Sequence, residues 1–125
     1  MELYIQEEQI SVHLQKRLER FRADYPVADE VKRRVSKPDM PFFGKEILEM
    51  AVSALLEGEN ILLCGDKATG KNILAENLAW MFGRPVYNMS FHVNTDSGSL
   101  IGSDTFVDNE VKLRKGPVYQ CAAYG

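Results

Sequence analysis

Eight consecutive residues in the middle of the chain have the types and spacing to hold a phosphate group. They follow an apolar run at residues 61–64 and precede a helical pattern. In chain order they are Gly65, Asp66, Lys67, Ala68, Thr69, Gly70, Lys71 and Asn72. Glycine adopts backbone angles that other residues avoid, so successive amides can turn inward around an anion. The helix that begins near Gly70 directs unpaired N–H groups at the same point, and Lys71 adds a positive charge.

This order of strand, glycine-bounded loop and helix predicts a site for the phosphates of a nucleotide. The alternative is an ordinary strand-to-helix turn that holds glycine and lysine by coincidence, and the flanking apolar run and helix disfavour it. ATP and GTP share the same phosphate groups, so the loop alone leaves the base open.

The last residue of the loop departs from the usual pattern. Ser or Thr is expected there, because its hydroxyl ligates Mg²⁺, and this chain has Asn72. The carbonyl oxygen of Asn72 is an acceptable Mg²⁺ ligand, but it lies one bond further from the backbone. Magnesium requires near-ideal geometry at short distances. Asn72 is therefore the candidate Mg²⁺ ligand, and it is predicted to weaken metal placement more than nucleotide binding.

The composition describes one small domain with a real core. The chain has 125 residues, of which 45% are hydrophobic and 26% charged, with a net charge of -3. This charge disfavours a general nucleic-acid binder. The longest apolar runs are too short to span a membrane, and the N-terminus is acidic, so a cytoplasmic location is expected. The two cysteines, Cys64 and Cys121, are predicted to be small apolar fillers in a reducing compartment.

Apolar periodicity predicts two helices before the loop. The first covers residues 3–25 and ends at Pro26, and the second covers residues 45–57 and ends at Gly58. The inner face of the first helix is predicted to consist of Ile10, Leu14, Leu18, Phe21 and Tyr25. This helix is interpreted as packing on the domain body, with an oligomer or partner contact as the alternative.

After the loop the pattern predicts a helix that Gly83 ends, a strand at residues 86–91 and then a hairpin. Asp108, Asn109 and Glu110 form the predicted hairpin turn, because Asp and Asn tolerate positive φ. A last helix is predicted to start at Gly116-Pro117. Its predicted inward residues are Val118, Cys121 and Ala122.

Residues 41–71, PFFGKEILEMAVSALLEGENILLCGDKATGK, resemble the start of an AAA+ ATPase module. The later stretch NMSFHVNTDSGSLIGSDTFVDNEVKLRKGPVYQCAAYG resembles strand two and a helix-two region with a β-hairpin insert. That insert is typical of the clade that contains MoxR-type ATPases, dynein and midasin. The resemblance covers residues 38–125 and leaves residues 1–37 as an N-terminal helical extension.

The resemblance implies an α/β fold: part of a P-loop NTPase three-layer αβα sandwich, truncated after helix two. It implies ATP and Mg²⁺ as cofactors and places Phe43 and Gly44 near the adenine. The hairpin at residues 106–113 would face the pore or a partner, with an inert surface hairpin as the alternative. The complete protein would form a homo-oligomeric ring, a hexamer, that uses ATP hydrolysis to remodel a protein substrate.

The motifs that family members use for hydrolysis do not occur in the 125 residues. Walker B, the sensor residues, the arginine finger and the helical lid all follow helix two in the family. The chain is therefore interpreted as an N-terminal fragment that contains no catalytic residue and does not turn over ATP efficiently by itself.

Two other functions stay open from the sequence. One is a non-catalytic nucleotide sensor or assembly module, which would naturally have Asn72 in the loop and no Walker B carboxylates. The other is a nucleic-acid-binding module that uses a basic cluster of Lys32, Arg33, Arg34 and Lys37. Acidic residues surround that cluster, so a self-neutralised solvated face is the favoured interpretation.

Overall fold

The computed structural model describes residues 9–124, which divide into a first unit up to Pro85 and a second unit from Val86 onward. The helices are α1 (Val12–Asp24), α2 (Lys45–Leu56), α3 (Lys71–Met81), α4 (Ser97–Leu100) and α5 (Pro117–Tyr124), with a 3-10 helix at Lys32–Arg34. Strands β1 (Gly102–Val107) and β2 (Glu110–Lys115) form a two-stranded sheet. None of the helices between residues 9 and 124 has the length and apolar character needed to cross a membrane.

Three amphipathic helices build the core of the first unit. Each places apolar residues at spacings of three and four on one face, as a helix that packs on one side requires. The buried core residues are Ile10, Leu14, Leu18, Leu48, Ala51, Val52, Leu74, Leu78, Met81 and Phe82. Burying a side chain of this size contributes about 1.5–3 kcal/mol. This core holds α3, and therefore the loop before it, against α1 and α2.

The predicted helix over residues 3–25 is interrupted at Ile10 and Ser11. Residues 3–8 of that prediction lie outside the described residues, Gln9 is helical, and α1 begins at Val12. The Ser11 amide instead donates a hydrogen bond of 2.7 Å to Oε1 of Glu49, which ties the start of α1 to α2. The end at Asp24 and the packing on α2 are as predicted. The inward position of Tyr25 is wrong, because its side chain is 61% exposed.

The predicted end of the second helix is confirmed. Helix α2 ends at Leu56, and Gly58 follows it with a left-handed φ of +81°. Leu48 and Val52 lie on its buried face, as predicted, whereas Ile47 is 48% exposed.

The two strands predicted from apolar runs are not paired in the described structure. Neither residues 61–64 nor residues 86–91 belong to a β-ladder within residues 9–124. Ile61 and Leu63 pack partly against the core, but Leu62 is 87% exposed, so the prediction of a buried strand is wrong. A strand is stabilised by hydrogen bonds to a neighbouring strand, and the described residues supply no neighbour. The three-layer sandwich stays a prediction.

The hairpin prediction is confirmed. Strands β1 and β2 pair antiparallel, with Thr105 opposite Lys112 and Val107 opposite Glu110. Asp108 and Asn109 have φ values of 53° and 64° and form the two-residue turn. Positive φ at both positions matches the right-handed twist of the flanking strands.

Helix α5 begins at Pro117, as predicted, but its inward face is wrong. Val118 is 49% exposed, and Cys121 and Ala122 are also exposed. The role of small buried filler is wrong for both cysteines, since Cys64 is exposed as well. Helical spacing identifies an apolar face, but a face becomes buried only where another element covers it, and no described element covers this one.

Acidification is expected to weaken the cap of α4. Oδ1 of Asp96 accepts a 2.9 Å hydrogen bond from the Ser99 amide, and the Ser99 hydroxyl accepts one of 3.1 Å from the Asp96 amide. The backbone N–H of Ser99, and then its hydroxyl, hold the pKa of Asp96 below its ordinary value of 3.8. Because the folded pKa is lowered, the cap contributes fully above the unfolded pKa and is lost as pH falls through the folded pKa.

An NMR titration of the Ser99 amide shift measures this directly, with an expected midpoint below the ordinary value of 3.8. Asp96→Asn is the matched control, because asparagine also caps helices but does not titrate in this range. A midpoint at or above the unfolded value would contradict the capping role of the carboxylate.

Candidate phosphate-binding site

The loop at residues 65–72 turns sharply before α3. Gly70 caps the helix in the left-handed conformation, with φ 85° and ψ 15°. Ala68 also has a positive φ, 61°. Gly70 adopts this conformation without the steric cost that a side chain adds, so the predicted need for glycine at this position is confirmed.

The loop presents unpaired backbone donors. Within residues 9–124, no amide from residue 66 to residue 73 donates a hydrogen bond to another residue. The first amides of α3 lack partners because a helix supplies none to its own first turn, and the helix dipole makes this end positive. Residues 67–73 line a cavity of about 480 Å³. This volume falls in the range of small-molecule sites.

Lys71 is held by oxygens of the loop itself. Its Nζ donates hydrogen bonds to the carbonyl oxygen of Gly65 (3.0 Å), to Oγ1 of Thr69 (3.1 Å) and to the carbonyl oxygen of Asp66. The Thr69 hydroxyl in turn donates to the carbonyl oxygen of Asp66 at 2.9 Å. These acceptors are neutral, whereas a phosphate oxygen carries charge and forms a stronger bond to an ammonium group. The ammonium group of Lys71 can therefore exchange these neutral acceptors for the oxygens of a bound phosphate.

The predicted phosphate-binding residues are brought together in this loop, but their side chains differ in role. The side chains of Asp66, Lys67 and Asn72 are exposed, whereas Lys71 is partly buried. Asn72 is the second residue of α3. Within residues 9–124, no group of three or more His, Cys, Asp or Glu is placed to enclose a metal ion.

The residues predicted beside the adenine, Phe43 and Gly44, lie at the start of α2. Gly44 is its N-cap, and Phe43 is 73% exposed. The preceding aromatic residue, Phe42, lies beside the loop. A Cβ placed on Gly70 would lie 3.9 Å from Cε2 of Phe42. Sequence reasoning singled out Phe43 beside the glycine and missed Phe42, although the pair of aromatic residues was the available signal.

Asn77 is a second residue that sequence reasoning missed. It is completely buried, and its Nδ2 donates to the carbonyl oxygens of Met40 (2.9 Å) and Ile73 (2.7 Å). It lies between Leu74 and Leu78 on the apolar face of α3, where a polar residue is unusual. That position was a usable signal in the sequence.

The basic cluster of Lys32, Arg33, Arg34 and Lys37 is the other candidate site that the sequence offers. The cluster lies on and just after the 3-10 helix at Lys32–Arg34, and all four of its side chains are exposed. Exposed cations near acidic residues match the solvated face that the sequence favours.

Curated proteins that are similar to this chain include the following two. The chain is 28% identical over 107 residues to Uncharacterized protein YojN of Bacillus subtilis (strain 168), a match that covers 82% of this chain and 35% of that protein. It is 38% identical over 80 residues to Uncharacterized protein SSP1341 of Staphylococcus saprophyticus, covering 60% of this chain and 30% of that protein. The chain thus spans about a third of the length of these relatives. No family model and no solved structure matches it.

Proposed function

We propose that this chain is the ATP-binding part of an AAA+ ATPase related to the MoxR and dynein proteins. The observation that carries the proposal is the loop at residues 65–72. Its amides are unpaired, its lysine ammonium is held by neutral oxygens that a phosphate can replace, and a helix N-terminus closes it. These three features together match what a polyphosphate requires.

In this proposal the chain binds and orients the phosphates of ATP, and the complete protein carries out the hydrolysis. The amides of residues 66–73 hold the phosphate oxygens, and Lys71 supplies their counter-charge. Asn72 would hold Mg²⁺, which neutralises phosphate charge when bound. The complete protein would hydrolyse ATP in a hexameric ring and use the energy to remodel a protein partner in the cytoplasm.

A second candidate is a non-catalytic nucleotide sensor or assembly module. Asn72 favours it, because the residue stands where a Mg²⁺-binding hydroxyl is expected and its side chain is exposed. ATP turnover by the longest natural form of the protein separates the two candidates. Turnover supports the ATPase, whereas tight ATP binding without turnover supports the sensor.

Calorimetric titration of the 125-residue chain with ATP, GTP and inorganic tripolyphosphate tests the shared basis of both candidates. Saturable ATP binding is expected in the micromolar range, about -8 kcal/mol, which a few charge-assisted hydrogen bonds can supply. A well-folded sample that binds none of the three ligands would refute the proposal. Comparing ATP with GTP measures the base preference.

Replacing Asn72 with threonine is expected to strengthen the dependence of ATP binding on Mg²⁺. The threonine hydroxyl lies closer to the backbone than the asparagine amide oxygen, and Mg²⁺ accepts little deviation in distance. The apparent Mg²⁺ affinity of the ATP complex should rise several-fold, while ATP affinity measured in EDTA should change by less than about twofold. Asn72→Ala, which offers no oxygen, is the matched control. Equal Mg²⁺ affinity in all three proteins would contradict the role of residue 72 as a metal ligand.

A further inference from the structure

The segment at residues 40–42 approaches α3 at two points. The first is the 2.9 Å hydrogen bond from Nδ2 of Asn77 to the carbonyl oxygen of Met40. The second is the ring of Phe42. Its Cε1 lies 2.9 Å from the position of a Cβ on Gly44, and its Cε2 lies 3.9 Å from the position of a Cβ on Gly70. The ring therefore fills the space between the caps of α2 and α3.

Fold stability alone does not explain why an asparagine occupies buried position 77. Its Oδ1 is buried and accepts no hydrogen bond within the described part of the chain. A buried acceptor without a partner destabilises the fold, and an apolar residue of similar size would avoid that cost. What the asparagine provides is a connection, because one amide group joins Met40 to Ile73.

The connection ends at Ile73, the residue directly after the phosphate-binding loop. Ile73 belongs to the set of residues 66–73 whose amides are unpaired, and its carbonyl oxygen is 2.7 Å from Nδ2 of Asn77. The ring of Phe42 lies beside Gly70, the left-handed cap of the same helix, because its Cε2 is 3.9 Å from the position that a Cβ on Gly70 would take. Both contacts therefore act on the first turn of α3.

We propose that Asn77 and Phe42 are positioning residues that hold the phosphate loop in its binding conformation. They fix the first turn of α3, so that a polyphosphate meets donors that are already oriented and less entropy is lost on binding. This inference rests on the proposed function. The two residues act on the site of the phosphates, so substituting them should change the affinities for inorganic tripolyphosphate and for ATP by the same factor.

The test is Asn77→Leu in the 125-residue chain, which removes the amide donors and the unpaired Oδ1 together. The dissociation constants for ATP and tripolyphosphate are expected to rise by the same factor, roughly two- to tenfold, the equivalent of one net hydrogen bond. Amide hydrogen exchange at Leu74, whose N–H donates a 2.9 Å hydrogen bond to the carbonyl oxygen of Gly70 in the first turn of α3, should become faster. The melting temperature should stay equal or rise, an outcome that a merely structural role of Asn77 would not produce.

The matched control removes a comparable contact at the other end of α3. Nη1 of Arg22 donates to the carbonyl oxygen of Met81 at 3.0 Å. Arg22→Met should lower the melting temperature and leave both affinities unchanged. Phe42→Leu replaces the ring beside Gly70 with a shorter side chain and should weaken the binding of both ligands, as Asn77→Leu does. If Asn77→Leu does not fold, the inference is tested with Phe42→Leu.

Three results would overturn the inference. Unchanged affinities in Asn77→Leu, or in Phe42→Leu where that variant carries the test, would refute it and leave the proposed function intact. A loss of affinity for ATP alone, with tripolyphosphate binding unaffected, would show that Asn77 and Phe42 do not act on the phosphate loop. Absence of binding by the unmodified chain would refute the proposed function together with the inference.

Discussion

Replacing Lys71 with alanine is expected to weaken ATP binding roughly 10- to 100-fold, the equivalent of one charge-assisted hydrogen bond. Nζ of Lys71 already lies within the loop, 3.0 Å from the carbonyl oxygen of Gly65 and 3.1 Å from Oγ1 of Thr69. A phosphate that enters the loop gains the ammonium in exchange for these neutral acceptors, and alanine removes that gain. Calorimetric titration with ATP and with tripolyphosphate measures the loss for both ligands.

Lys67→Ala is the matched control for Lys71→Ala. Both substitutions remove one positive charge from the same loop, but Lys67 is exposed. Solvent screens the charge of Lys67, so we expect the affinity for ATP to change by less than about threefold in Lys67→Ala. Lys71→Arg separates charge from shape, because the planar guanidinium keeps the charge and does not reproduce a compact ammonium. Equal affinity of Lys71→Ala and the unmodified protein would refute the proposed role of the loop.

The features predicted correctly are those that short stretches determine. Asp108 and Asn109 tolerate positive φ, so the hairpin turn follows from two residues. Pro117 starts α5 and Gly58 ends α2 for equally local reasons. The loop before α3 belongs to the same class, because Gly70 and Lys71 act through their own backbone and side chain.

The features predicted wrongly depend on what lies opposite a residue. Leu62 has the apolar character of a buried strand, yet it is 87% exposed because no described strand pairs beside it. Val118 lies on an apolar helix face that no described element covers. Periodicity specifies which residues share a face, but burial requires a second surface.

The supporting residues of the candidate site fall between these cases. Asn77 interrupts an apolar face, so the sequence marks it as unusual, but its partner Met40 is 37 residues away. Phe42 precedes Phe43 in an aromatic pair, and only packing against Gly70 distinguishes the two. Contacts between distant segments depend on how the three helices of the first unit pack, and no local pattern contains that information.

Gly116→Ala is expected to destabilise the second unit by about 3 kcal/mol or more, at the upper end of overpacking effects. A Cβ on Gly116 would lie 2.3 Å from the carbonyl oxygen of Leu100 and 2.9 Å from the carbonyl carbon of Ile101. Both are backbone atoms, so no side-chain rotation relieves the overlap. Separation of the two segments would also break the 2.8 Å hydrogen bond from the Gly116 amide to the carbonyl oxygen of Ile101.

Amide hydrogen exchange of β1 and β2 measures the effect, because this hydrogen bond joins the residue before β1 to the residue after β2. Protection in both strands should fall by two orders of magnitude or more, as about 3 kcal/mol implies. Gly98→Ala in α4 is the matched control. A Cβ there would meet its nearest atom, Oδ1 of Asp96, at 3.4 Å, an ordinary contact. Alanine also favours helix over glycine, so protection should stay equal or rise. Similar exchange in the two variants would show that the approach of Gly116 to Leu100 does not hold the hairpin in place.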